Sequence, residues 1–157
     1  MKMSKTRLFV SKKLSANILI YIKNKQHHFL KNVLRIKKED SINLFDGFTG
    51  EWLSKVISIN RDNIVLQIQN KLRDIPKETD LWLIFAPIKS YRMNITIQKA
   101  TELGISRFIP ILTEYTNQSK INFKNFELNM IEASEQSERL SIPTLDKTIK
   151  FDDLVNN

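Results

Sequence analysis

The stretch LWLIFAPIKSYRMNITIQKATELGISRFIPIL, residues 81–112, decides the fold class. Residues 81–88 form an unbroken apolar run, as expected of a strand buried on both faces. Ser90 then offers a helix N-cap. Met93, Ile97, Ala100 and Leu103 follow at close to a 3.6-residue period, predicting a helix over residues 91–103. Gly104 stands where a left-handed C-terminal cap belongs. A second apolar run at 108–112 supplies the next strand. Strand, helix and strand in this order predict a parallel β-α-β unit and an α/β class for this half of the chain.

Toward the C-terminus a second helix is expected over residues 126–140, stopped by Pro143. The chain then runs into a polar stretch, residues 151–157. Two strands and two helices leave sheet edges unpaired and apolar faces uncovered. This half is therefore expected to be the opening part of a larger α/β domain, completed by another chain, by dimerisation or by further sequence. Toward the N-terminus, residues 70–80 are polar, contain Pro76 and predict a linker. Two domains are expected, 1–72 and 80–157.

The first domain reads as short strands at 7–10, 42–45, 51–59 and 64–68. Asp46-Gly47-Phe48-Thr49-Gly50 is the hairpin turn, its glycines able to take positive φ. In the longest strand Trp52, Ser54, Val56 and Ser58 share one face. One or two helical turns interrupt at 26–34, where Phe29 pairs with Val33 and Leu30 with Leu34. Short meandering strands at this spacing predict a small β-barrel.

Charge separates the halves. Residues 1–70 carry 13 Lys/Arg against 5 Asp/Glu, whereas residues 71–157 carry 12 of each. Lysine is plentiful in both, as an AT-rich genome tends to encode, so the asymmetry arises from missing acids in the first. A basic module joined to a neutral one is the footprint of phosphate contacts. The absence of cysteine removes disulfides and thiolate metal sites and suits a reducing compartment. No apolar run reaches membrane-spanning length, and residues 1–5 are not followed by a signal-peptide core. A cytoplasmic location is expected.

Catalytic constellations are not evident from spacing. His27 and His28 point about 100° apart on a helix and cannot chelate together, so no metal is expected. With glycine only at 47, 50 and 104, no glycine-rich phosphate loop exists. Gln98 with Glu102, and Glu135 with Arg139, stand at i, i+4 and read as pairs on a solvated helix face.

Five collinear segments nevertheless resemble the bacterial ribosomal RNA small subunit methyltransferase E family. They are Arg7-Leu8-Phe9-Val10; His28 through Val33-Leu34-Arg35, with Asp40 close behind; Leu44-Phe45-Asp46-Gly47; Lys89 through Gln98-Lys99-Ala100-Thr101-Glu102-Leu103-Gly104 to Pro110; and Ala133-Ser134-Glu135-Gln136-Ser137-Glu138-Arg139 with Pro143. Two positions depart from the family pattern. Glu39 stands where the family has glycine before the motif aspartate. No basic residue follows the strand at 109–112, where the sequence reads Thr113-Glu114-Tyr115-Thr116-Asn117.

The resemblance implies a PUA-like RNA-binding barrel followed by the first part of a SPOUT-type α/β domain. In the family a C-terminal trefoil knot completes that domain, holds S-adenosylmethionine and forms the homodimer. The implied reaction moves the methyl group of S-adenosylmethionine onto N3 of a uracil in 16S ribosomal RNA of the small ribosomal subunit. The nitrogen loses a proton in that step, and no residue of this chain is identified as the base. The family's glycine-rich cofactor segment has no counterpart in these 157 residues, so no cofactor-binding residue is expected. Arg7, His28 and Arg35 are the expected backbone contacts to RNA, with Lys89, Arg92, Lys99 and Arg139 toward the active-site side. A non-catalytic RNA-binding module, a ribosome-associated fragment or a poorly folding product of a decaying gene would account for the same features.

Overall fold

The computed structural model describes residues 6–116 and 121–155. The expectations that touch residues 1–5, Asn117 and residues 156–157 lie outside them. The chain divides into two compact units, Met1–Pro76 and Lys77–Asn157.

The first unit is a five-stranded sheet of β1 (Arg7–Phe9), β2 (Leu19–Ile22), β3 (Ser41–Phe45), β4 (Glu51–Ile59) and β5 (Ile64–Arg73), in spatial order β1-β3-β4-β5-β2. The β1–β3 pair is parallel and the others antiparallel. Leu8 of β1 and Ile20 and Ile22 of β2 reach the same core as Ile42, Leu44, Val56, Ile64 and Leu66. Both terminal strands thus feed one interior, so the sheet wraps on itself as a PUA-like barrel. Trp52, Ser54 and Val56 point inward as the alternation predicts, whereas Ser58 is only half-buried.

The β3–β4 turn is held by Asp46. Its buried carboxylate accepts from the backbone N–H groups of Leu14 (2.8 Å), Phe48 (2.9 Å) and Thr49 (2.7 Å), and from Thr49 Oγ1 (2.7 Å). Burial pushes this carboxyl up, but the four hydrogen bonds outweigh it and hold the group below its ordinary value. Gly50 adopts φ +106°, and a Cβ there would lie 2.3 Å from the Arg73 carbonyl oxygen.

Several local expectations are corrected. Strand β2 had no counterpart in the sequence reading. Residues 70–73, expected as linker, belong to β5, where Glu51 opposite Arg73 extends the ladder. The helical turn begins earlier, as α1 (Asn24–His28), and continues as a π-helical stretch, Phe29–Val33. Of its paired apolar residues only Leu30 is buried, because the wider π turn shifts the side-chain period.

The second unit holds a four-stranded parallel sheet, β6 (Trp82–Phe85), β7 (Arg107–Leu112), β8 (Thr144–Leu145) and β9 (Ile149–Lys150). Strands β8 and β9 take successive stretches of one β7 edge, through Arg107↔Thr144 and Ile111↔Ile149. Helices α2 (Ser90–Glu102) and α3 (Phe123–Gln136) pack together, with Met93, Ile97, Phe108, Phe126 and Met130 as the core. Leu83 and Phe85 also pack there. The alternate residues Trp82 and Ile84 remain nearly half exposed, so β6 is an edge strand covered on one face, not the doubly buried strand expected.

Helix α2 starts one residue early, with Lys89 rather than Ser90 at the N-cap. Leu103 projects to solvent at 83% exposure, and buried Thr101 takes its place in the stripe, its hydroxyl donating to the Ile97 carbonyl (2.8 Å). Gly104 has φ +95°, as the expected cap requires. Helix α3 ends at Gln136, four residues before the expected stop, because Glu138 turns into the left-handed region at φ +60°. The strands β8 and β9 had no counterpart in the sequence reading, and the polar stretch from residue 151 opens as the short helix α4 (Phe151–Val155).

Candidate RNA-contacting surfaces and the cleft of the second unit

Parallel strands leave their carboxyl ends together, and the loops there form a cleft. In the second unit this cleft has a volume of about 500 Å³ and is lined by residues 86–89, Arg92, Thr113, Tyr115 and Thr116. Lys89 caps the start of α2 and Arg92 lies in its first turn, so both cations meet the positive end of the helix. Such a site suits an anionic or electron-rich ligand. The segment without a basic residue closes its own turn, the Thr113 N–H donating to Thr116 Oγ1 (2.8 Å). It leaves Tyr115 84% exposed beside the two cations.

Of the seven residues singled out in the sequence, the structure brings Lys89 and Arg92 together. Lys99 is seven residues beyond Arg92, about 10 Å along the helix, and its ammonium pairs with Glu102 (2.8 Å). Gln98 also donates to Glu102 (2.9 Å), so the expected pair on this face is present. His28 and Arg35 are exposed at the ends of the π-helical stretch, Arg35 at φ +51°.

Arg7 and Arg139 are placed differently. The Arg7 Nε donates to Glu51 Oε1 (2.7 Å), both side chains 6% exposed, and its guanidinium lies 5.2 Å from the centre of the Phe45 ring. Arg73 Nε reaches the other carboxylate oxygen at 2.6 Å. Burial pushes Glu51 up, but the hydrogen bonds and charges of Arg7 and Arg73 hold it below its ordinary value. Arg139, 8% exposed at its side chain, is clamped by Glu78 and by the carbonyls of Thr101 (3.1 Å) and Ile105 (2.7 Å). It ties loops together instead of standing on a solvated helix face. Both arginines pair with carboxylates of their own unit.

A surface missed in the sequence lies between β1 and β2. There Lys12, Tyr21, Lys23 and Gln26 line a groove of about 470 Å³. The alternation Leu19-Ile20-Tyr21-Ile22, with Ile20 and Ile22 buried, was the period-2 signal that could have revealed β2.

Glu39 shows why the related pattern has glycine at its position. Its φ is +74°, and its N–H donates to the Val56 carbonyl (2.9 Å), fixing the entry into β3. Lys55 pairs with its carboxylate, and that hydrogen bond and charge hold Glu39 below the ordinary glutamate value.

Comparison with known proteins agrees with this architecture. Residues 22–69 match the RNA methyltransferase PUA domain and residues 76–157 the RNA methyltransferase domain. Ribosomal RNA small subunit methyltransferase E of Rickettsia conorii is 33% identical over 152 residues, covering 96% of this chain and 62% of the relative. The protein of the same name from Buchnera aphidicola subsp. Schizaphis graminum is 27% identical, covering 92% and 62%. The chain thus spans about three-fifths of the length of these relatives.

In fold it resembles a methyltransferase from Legionella pneumophila solved with bound S-adenosylmethionine (TM-score 0.86, 22% identity, 97% of this chain and 66% of that one). It also resembles ribosomal RNA small subunit methyltransferase E of Neisseria gonorrhoeae solved with the same cofactor (TM-score 0.85, 21% identity, 97% and 65%). The domain match over residues 76–157, more than half the chain, settles membership: the chain belongs to the RNA methyltransferase domain family.

Proposed function

We propose that the chain serves methylation of uracil N3 in 16S ribosomal RNA, with S-adenosylmethionine as the methyl donor. The barrel holds the RNA and the second unit provides one side of the methyl-transfer site. The single observation that carries this reading is the cleft at the carboxyl ends of β6 and β7, where Lys89 and Arg92 converge at the start of α2. When bound, the cofactor supplies an electrophilic methyl group. Lys89 and Arg92 then hold phosphate and orient the target nucleotide, a positioning contribution. His28, Arg35 and Lys99 are the other residues proposed to face RNA. Arg7 and Arg139 act through the loops they brace.

The partners are the small ribosomal subunit, in the cytoplasm, and a second copy of the chain, which the open Trp82–Ile84 side of β6 would accept. Each glycine of the chain already serves a turn or a helix cap, at positive φ. None of the three stands in a glycine-rich loop, the feature the family resemblance implies for contact with the cofactor. The 157 residues alone are therefore proposed to bind RNA without holding S-adenosylmethionine. Titration calorimetry tests this directly: no heat of binding is expected, and micromolar affinity would overturn it. Filter binding to 16S ribosomal RNA tests the other half, with affinity expected to fall steeply as salt rises.

A further inference from the structure

We propose that the groove between β1 and β2 is a subsite for one unstacked nucleotide of single-stranded RNA, with Tyr21 as its stacking platform. This rests on the RNA-binding reading above and adds residues which that reading does not use. The spatial order β1-β3-β4-β5-β2 makes β1 and β2 the two terminal strands, and their outer edges meet across the groove. Side chains, not strand pairing, bridge it. Gln26 Nε2 donates to the Phe9 carbonyl (2.8 Å), and Lys12 Nζ reaches the Leu19 carbonyl at a long 3.4 Å. The Lys12 contact is weak enough to yield to a better acceptor.

Size, charge and ring chemistry point to one occupant. The volume of about 470 Å³ lies in the range of small-ligand sites. Ile20 and Ile22 turn into the core, which leaves Tyr21 on the outer face with 56% of its surface exposed. An aromatic ring presented this way stacks on any base once that base is splayed out of its helix. Lys12 and Lys23 line the same groove as the ring, and among the described residues lining it none is acidic. Two lysines in the groove of an open ring suit the phosphates of the strand that carries the stacked base. Duplex RNA keeps its bases stacked and cannot offer a free ring, so the subsite selects single strands.

The test uses the 157-residue chain and a labelled single-stranded RNA of about 12 nucleotides, a span that small barrels track, beside the duplex of the same sequence. Tyr21→Ala is expected to weaken the single strand about tenfold, the loss of one stacked base, and to leave the duplex unchanged. Tyr21→Phe keeps the ring and is expected to bind like the parent. Lys12→Ala and Lys23→Ala each lower the slope of log K against log salt by about 0.7. These exposed positions leave the barrel core intact, which thermal melting of each variant verifies. Single-strand affinity unchanged in Tyr21→Ala, or an equal loss on duplex, overturns the subsite, and a peptide strand then becomes the better occupant for these edges. If the parent chain binds neither RNA, the functional reading fails with it; if it binds both and no variant matters, only the subsite fails.

Discussion

Arg139 and Glu78 meet in a two-pronged ion pair, Nη2 to Oε2 at 2.6 Å and Nε to Oε1 at 3.1 Å, across 61 residues of sequence. Ser141 Oγ donates to the same carboxylate, and Arg139 Nη1 donates to two main-chain carbonyls. The pair thereby fastens the entry of the second unit to the loop after α2 and the loop after α3. Glu78→Gln leaves a largely buried guanidinium without its counter-charge. A loss of about 3 kcal/mol is expected, read as a lower urea midpoint. An unchanged midpoint would show the clamp to be ornamental.

Acid should loosen the barrel. Glu51 has an ordinary value of 4.5 and lies lower in the folded chain because Arg7 and Arg73 hydrogen-bond its charged form despite burial. Its stabilising contribution is therefore complete above about pH 4.5 and is lost as the pH falls through the lower folded value. Glu51→Gln is expected to be less stable than the parent at pH 7, with the gap closing as the pH falls below 4.5 toward the lower folded value. Urea unfolding across that range measures the gap, and a gap independent of pH would refute the assignment.

Gly50 and Gly104 both have positive φ, yet they differ in surroundings. A Cβ at Gly50 meets the Arg73 carbonyl at 2.3 Å, whereas one at Gly104 meets nothing within 4 Å. Gly104→Ala should cost about 1–2 kcal/mol from backbone strain alone. Gly50→Ala should cost clearly more, because β5 must also move. Equal melting temperatures for the two variants would contradict this ordering.

Glu39 strains the backbone at φ +74° for an exposed pairing with Lys55 that contributes little. Glu39→Gly is expected to raise the melting temperature. A drop would mean that the pairing outweighs the strain.

Phosphate contact by the cleft cations has a salt signature. Lys89→Ala and Arg92→Ala should each reduce the slope of log K against log salt by about 0.7–0.9 for ribosomal RNA. Arg139→Lys, whose position is inside the unit, should leave that slope unchanged. If the Arg139 variant alone alters the slope, the placement of the RNA on the cleft is wrong.

The sequence by itself determined the elements that local periodicity and turn chemistry dictate. Helix α2 announces itself through Met93 and Ile97, β4 through the alternation beginning at Trp52, and the β3–β4 turn through two glycines around an aspartate-led loop. These depend on neighbours a few residues away, as do the family motifs. The charge division was likewise legible, because it is only a count. Tertiary structure alone decided which side of β6 stays open, where α3 stops, and that two short strands share one edge of β7. It also decided which carboxylates two of the arginines meet. Arg7 and Arg139 look like surface arginines in sequence, and partners 44 and 61 residues away bury them. A side chain's charge is written at its own position, but its counter-charge is brought by the fold, so only the tertiary structure shows which charges are paired within the chain.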